Sequence, residues 1–331
     1  MRLATLDNGR PDGELVVVSS DGARYLAAPG LNLLAAVEHW DAAEIDLRRL
    51  ADVLEAGGGG HLDPARLRAP LPRSWQWLDG SAFGTHGELM QIAFNLPPLD
   101  SDRPLMYQGM SDRFYGPNDP VPFTDPAHGI DFEGEFGVIV DHVSMGTRAE
   151  EALGHIKLLV QINDWSLRAI APVEMKTGFG WVQAKPPCSM APFAVTPDAL
   201  GDAWRDGRLC MELAVDLNGA RFGAASAASM DFGFHELIAH AALTRDLVAG
   251  TVIGSGTVSN PNYAEVGSSC ISEVRAIEII RDGKPTTPFM AFGDSVRMEG
   301  RMADGTAPFG AIEQHVVCKQ AQSVSKQPVP A

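Results

Sequence analysis

The 331-residue sequence predicts a mainly β fold of the α+β class, a β-sandwich or roll preceded by a small N-terminal α+β domain. Three observations carry this expectation. Short apolar runs rich in β-formers recur at 133–140, 156–162, 190–195, 210–217, 251–258 and 271–280. Gly and Pro punctuate the intervals and leave little room for long helices. Asn218-Gly219 stands between apolar runs at 211–217 and 220–222, and this dipeptide closes two-residue hairpins.

Taken in order, 15–18 reads as a strand, Asp21-Gly22 as a turn and 23–27 as a second strand. Two helical stretches follow. Asp41 and Glu44 have the spacing of a capping box that opens the second, which runs to Glu55 and stops at the glycines 57–60. Those glycines, with Pro64, Pro70 and Pro72, read as a linker. The expected division is a small domain over 1–72, a larger domain over 73–322 and a flexible, polar, Pro-containing tail over 323–331. Within the larger domain a helix begins at Thr196-Pro197, with Pro at its first position, and another covers roughly 234–248.

Composition narrows the function. A formal net charge of −16 without any basic stripe argues against a nucleic-acid partner. No apolar run approaches the ~18 residues of a membrane span, and no charged-then-apolar leader opens the chain, so a soluble cytoplasmic protein is expected. Cys188, Cys210, Cys270 and Cys318 are scattered, which suits reduced thiols better than a zinc knuckle or a disulfide framework.

Glu133 and Glu135 occupy a run ending in apolar β-formers, and residues i and i+2 of a strand share a face. Two such carboxylates repel unless a proton or cation lies between them. Asp164, at the end of another apolar run, could complete an all-oxygen site suited to Mg²⁺, Mn²⁺ or Ca²⁺. Taken singly, these acids also read as solvated strand-end or turn residues, and Asp79-Gly80 as a turn dipeptide.

Four stretches together resemble the fumarylacetoacetate hydrolase family: Asp79-Gly-Ser-Ala-Phe-Gly-Thr-His86, Asp131-Phe-Glu-Gly-Glu135, Asn163-Asp-Trp-Ser-Leu-Arg168, and Gly254-Ser-Gly-Thr-Val-Ser259 leading to Gly267-Ser-Ser-Cys-Ile-Ser-Glu273. The resemblance covers about 73–318, and a small N-terminal module is a feature of the family's longer members. It implies a fumarylacetoacetase-like β-sandwich roll and a divalent metal, Mg²⁺ ahead of Ca²⁺ or Mn²⁺, held by Glu133, Glu135 and Asp164 with Asp79 as fourth ligand. It implies His86 as general base, oriented by Glu273 or, as the alternate, by Glu88. His86 reads here as part of a glycine-rich loop (Gly80, Gly84, Gly87) able to act as a lid. Arg168 and Lys185 would stabilise charge developing on substrate oxygen. Thr257 would bind a substrate carboxylate, and Tyr107, in a segment walling the pocket, would touch substrate. Where the longer branch has a glutamine three residues past the Arg, this sequence has Ala171.

The implied activity is hydrolysis of a carbon–carbon bond in a small-molecule 1,3-diketo acid, of the fumarylacetoacetate or acylpyruvate type met in aromatic and tyrosine catabolism. A decarboxylase, tautomerase or hydratase on the same fold, and a non-catalytic metal-binding protein, are the alternatives. The resemblance also implies a homodimer. Trp75, Trp77 and Phe83 read as packing groups, and the histidines at 142, 155, 235, 240 and 315 as structural.

Overall fold

The apolar runs assemble into two packed β-sheets with helices at their margins. A computed structural model of the chain describes residues 1–96 and 102–319, so the tail expected at 323–331 lies outside the described residues. The N-terminal part supplies β1 (Arg2–Leu6), β2 (Glu14–Val18), β3 (Arg24–Ala27), α1 (Leu33–Glu38), α2 (Trp40–Glu55) and β4 (Gly60–His61). Then come β5 (Trp77–Gly80), α3 (Gly84–Phe94), β6 (Met106–Gly109), β7 (Val121–Phe123), β8 (Ile130–Asp131) and β9 (Gly134–Val140). A short α4 (Ala149–Ala152) leads to β10 (Ile156–Asn163), β11 (Ser166–Leu167), α5 (Ala171–Met175), β12 (Ser189–Met190), β13 (Ala194–Val195), β14 (Trp204–Arg205) and β15 (Arg208–Leu209). The remainder holds β16 (Glu212–Leu217), β17 (Ala220–Ser226), α6 (Phe234–Ala241), β18 (Val252–Gly254), α7 (Tyr263–Val266), α8 (Ile271–Asp282), β19 (Ser295–Arg301) and β20 (Ala311–Cys318).

Among the described residues, one sheet has eleven strands in the order β4-β3-β2-β1-β13-β10-β9-β18-β5-β6, with β12 also on β10. A second has five, in the order β17-β16-β19-β20-β7, and β11 with β8 and β14 with β15 form two further two-stranded sheets. Every residue of β9 is buried, as expected of a strand covered on both faces, and its sequence is correspondingly apolar apart from Glu135. In β19 burial alternates, with one face inward and one toward solvent. Phe136, Val138, Leu213, Val215, Met298 and Ile312 share one buried cluster between the sheets. Gly300 admits the Phe136 ring, since a Cβ there would lie 2.8 Å from it.

Register brings several strand ends to one rim. β18 runs parallel to β5, pairing Gly254 with Asp79, and antiparallel to β9, pairing Gly254 with Gly137. β9 in turn pairs Glu135 with Ile162 of β10. Across β5, Asp79 pairs with Tyr107 of β6. Asp79, Glu135, Asn163 and Tyr107 therefore project from a single end of the large sheet. Glycine at 254 is a steric requirement, because a Cβ there would strike the Trp77 ring and the Asp79 carboxyl.

Several expectations need correction. The run 271–280 is a helix, not a strand. Cys270 caps it by accepting from the Glu273 amide at 3.3 Å, and Gly283 closes it in the left-handed region at φ 77°. Local capping and tertiary contacts outweigh the β-branched content. The helix at 234–248 stops at Ala241, because Leu247 leaves to exchange backbone hydrogen bonds with Val143. Asp41 does not cap α2; the single residue His39 separates the two helices and takes the cap position. The stretch 190–195 is two short strands, the turn at Thr196-Pro197 is 3₁₀ (Pro197–Ala203), and β1 is a strand that no expectation included. His86 lies in the first turn of α3, not in a loop, and 106–109 is a sheet strand.

Gly254→Ala should destabilise the fold by about 1–3 kcal/mol, the usual range for overpacking. A lowered urea midpoint at unchanged slope checks it, and a wild-type midpoint would show that the rim tolerates a methyl group.

Candidate active site

Four carboxyl groups converge at this rim. Asp79, Glu133, Glu135 and Asp164 each place one oxygen within 4.8 Å of the others, and all four residues are buried. Asp79 comes from β5, Glu135 from β9 and Asp164 from just beyond β10. Glu133 sits in the break between β8 and β9, held by a bridge to Cys270, by Asp164 N–H donating to its carbonyl, and by its own N–H donating to Asn163 Oδ1.

Their partners are unevenly shared. Lys185 Nζ donates to Glu133 Oε1 at 3.0 Å and to Asp164 Oδ2 at 2.6 Å. Arg168 Nη2 lies 2.6 Å from Glu133 Oε1. Ser166 and Thr257 hydroxyls donate to the two Glu133 oxygens, Tyr107 donates to Asp164 Oδ2 at 2.6 Å, and the Cys188 thiol donates to Asp164 Oδ1 at 3.0 Å. Asp79 Oδ1 accepts from Gly256 N–H at 3.0 Å. Neither Glu135 oxygen has a donor, and this side chain faces another carboxyl, that of Asp79.

The electrostatics follow this imbalance. Burial, reinforced by Asp164, raises the Asp79 pKa well above the carboxylate range, and burial with the Asp79 charge does the same for Glu135. For Glu133 burial acts the same way but is outweighed by Lys185 and Arg168, which hold it well below the ordinary value. Burial alone would discharge Lys185, yet Asp164 and Glu133 push its pKa up and keep it an ammonium. Burial raises the Tyr107 and Cys188 pKa values, so both stay protonated donors. A buried oxygen-only cluster with one carboxylate lacking any donor is the environment that a hard divalent cation suits.

Beside it lies a base. His86 Nδ1 is 3.0 Å from Glu273 Oε2, with Glu273 fully buried and the His86 side chain 18% exposed. Both occupy the third position of their helices, α3 and α8, whose N-terminal turns pack together. Cys270, which bridges to Glu133, places its sulfur within 4.8 Å of ligand atoms of both His86 and Glu273, so the dyad neighbours the carboxylates. Glu88 is exposed on α3 and does not hold the imidazole; residues two apart on a helix diverge.

Other assignments shift. The Thr257 hydroxyl donates to Glu133 Oε2 at 2.9 Å. Arg168 and Lys185 are both committed to carboxylates of the cluster. Tyr107 stands edge-on to Trp181 at 5.0 Å, with the Lys185 ammonium over both rings. Reading the sequence missed Asp131, Ser166 and Cys188. Asp131 stands two residues before Glu133, and that alternation was its available signal. It is fully buried, bonds Arg168 Nε at 2.8 Å and accepts from the amides of Ile271 and Ser272.

A family model described as fumarylacetoacetate (FAA) hydrolase C-terminal matches residues 76–317, and one described as fumarylacetoacetase N-terminal domain 2 matches residues 1–73. A 2,4-didehydro-3-deoxy-L-rhamnonate hydrolase of Sphingomonas sp. (strain SKA58) is 29% identical over 180 residues, covering 53% of this chain and 59% of that protein. The fumarylacetoacetase of Dictyostelium discoideum is 26% identical over 248 residues, covering 66% and 56%. The chain thus spans less than two-thirds of the length of these curated relatives. A maleylpyruvate hydrolase from Sphingobium sp. SYK-6, solved with manganese (II) and pyruvate, has the same fold with a TM-score of 0.66 at 17% identity, covering 97% of this chain and 100% of that one.

The raised carboxyls make metal binding visible as protons. An acid whose pKa is higher in the folded than in the unfolded state keeps its proton longer when folded. Asp79 and Glu135 therefore support folding fully below their ordinary values of 3.8 and 4.5, and lose that contribution as pH rises through the raised values. A divalent cation takes the protons' place, so between those limits its binding releases protons. Adding Mn²⁺ to metal-free protein in weak buffer should acidify the solution, and Glu135→Gln should release fewer protons and bind more weakly. Equal release by the variant would remove Glu135 from the site.

Proposed function

Because the chain belongs to the fumarylacetoacetate hydrolase family, we propose that it is a divalent-metal-dependent hydrolase that cleaves a carbon–carbon bond in a 1,3-diketo acid of the fumarylacetoacetate or acylpyruvate type. The observation that carries this reading is the pairing of two devices at one rim: a buried four-carboxylate cluster and, next to it, an imidazole held by a buried glutamate. The cluster alone would suit a binding protein. The dyad adds a group able to take a proton from water.

Asp79, Glu133, Glu135 and Asp164 would hold the ion, Mg²⁺ first, with Mn²⁺ or Ca²⁺ as alternatives. When bound, the ion supplies a template and a Lewis acid for the substrate's oxygens. Glu273 fixes the His86 tautomer, and Nε2 takes a proton as water attacks the distal carbonyl. Lys185 and Arg168, charged and already converging on the cluster, stabilise the oxyanion of the tetrahedral adduct. Its collapse returns the carbonyl as a carboxylic acid and breaks the C–C bond. The electron pair leaves as an enolate, which recovers a proton from His86 to give the second keto acid. Tyr107 and Trp181 wall the site and would shape the acyl group accepted. The maleylpyruvate hydrolase solved with manganese and pyruvate supports a pyruvate-bearing substrate.

A division near residue 72 belongs to the same proposal, supported by the two family models meeting between 73 and 76. So does a homodimer, supported by exposed Val173, Met175, Phe179 and Val182 on one segment.

The test follows the ultraviolet band of enolised fumarylacetoacetate, maleylpyruvate and simple acylpyruvates with Mg²⁺, Mn²⁺ or EDTA. Metal-dependent loss with stoichiometric acid products is expected. Turnover of oxaloacetate with none of any diketo acid would replace hydrolysis by decarboxylation or tautomerisation. His86→Ala should lower kcat by ~10²–10⁴-fold, the usual worth of a general base, while metal binding stays intact. Undiminished turnover would remove His86 from the mechanism.

A further inference from the structure

We propose that Asp131 is a positioning residue that locks the base dyad and the carboxylate cluster into one register; the inference rests on the dyad reading of His86 and Glu273. Asp131 has no exposure, and each oxygen is committed. Oδ1 accepts from Ile271 N–H at 2.8 Å. Oδ2 accepts from Ser272 N–H at 2.9 Å and from Arg168 Nε at 2.8 Å.

The two amides open α8, where unpaired N–H groups and the helix dipole favour an anion. The next residue is Glu273, whose carboxylate holds His86. The local cap of this helix, the Cys270 sulfur, is a weak acceptor, so the charged anchor comes from Asp131 on another element. On its other side Asp131 orients the Arg168 guanidinium, whose Nη2 lies 2.6 Å from Glu133 Oε1. A continuous path therefore runs from Glu133 through Arg168 and Asp131 to the first turn of α8, Glu273 and His86. The helix that carries the dyad glutamate has its starting point set by the same carboxylate that sets the cation beside the cluster.

Asparagine cannot perform this role. Its amide keeps one acceptor, but its NH₂ would face a donor in either orientation, Ile271 N–H or else Ser272 N–H together with Arg168 Nε. The first turn of α8 then has to rotate or slide, and displacements of about 1 Å at a base can lower rates by about 10²-fold.

The experiment is a double-mutant cycle on the metal-loaded enzyme with Asp131→Asn, Glu273→Gln and the pair, measuring kcat, KM and Mn²⁺ affinity, with circular dichroism to confirm folding. The expected result is a 10- to 100-fold lower kcat for Asp131→Asn, KM within about threefold of wild type, and a clearly smaller further loss when Asp131→Asn is added to Glu273→Gln than when it is made alone, the remainder passing through Arg168. Multiplying losses, or a wild-type kcat for Asp131→Asn beside an impaired Glu273→Gln, would overturn the proposal. A wild-type kcat for Glu273→Gln would instead overturn the dyad reading. Should Asp131→Asn fail to fold, Asp131→Glu, which keeps the charge but displaces it by one methylene, goes through the same cycle with the same criteria.

Discussion

Four buried carboxyl groups repel one another at the rim of the large sheet, and the surrounding structure answers that repulsion. Two unit charges about 4 Å apart interact by about 4 kcal/mol at an effective dielectric of about 20, against a typical folding stability of roughly 5–15 kcal/mol. Four such groups cannot all be charged without compensation. Lys185 and Arg168 compensate Glu133 and Asp164, and hydroxyl, thiol and amide donors share the remaining lone pairs. Asp79 and Glu135 are left to hold a proton or share a cation. The distribution of partners, more than the number of acids, marks where a divalent ion belongs.

The scaffold makes this concentration possible by dividing the labour. Carboxylates come from strand ends and adjoining loops, fixed by ladder register and by Gly137 and Gly254, where neighbouring side chains leave no room for a Cβ. The imidazole and its glutamate come instead from two helix N-termini packed against each other. The segment 129–135 passes between the two sets. Gly129 and Glu133 bind the chain around Arg168 and Asp164, while Asp131 reaches the start of α8. A short, irregular stretch of chain thus joins a rigid metal-type site to a base mounted on a separate layer.

Much of the β architecture was legible because central strands such as β9 and β10 are mostly apolar and the Asn218-Gly219 hairpin is a local event. The juxtaposition of Glu133 and Glu135 follows from strand alternation even though a break separates them. What escaped depends on partners distant in sequence. The helix α8 carries β-branched residues, and its start is fixed by Asp131, 140 residues away from Ile271. The end of α6 is set by pairing of Leu247 with Val143, which no local signal announces. A lone acid before a Glu-x-Glu motif resembles any other, and the role of Asp131 exists only once α8 is in place. Glu88 and Glu273 could not be separated by spacing alone; the packing of α3 on α8 brings only the latter to His86.

The most direct measurement is anomalous diffraction from crystals of the protein grown with Mn²⁺. One strong peak enclosed by Asp79, Glu133, Glu135 and Asp164 is expected, with Glu135 bonded to it through an oxygen that otherwise has no donor. No peak there at saturating Mn²⁺, with Lys185 still bridging Glu133 and Asp164, would contradict it, because the cluster would then be a self-compensated structural network.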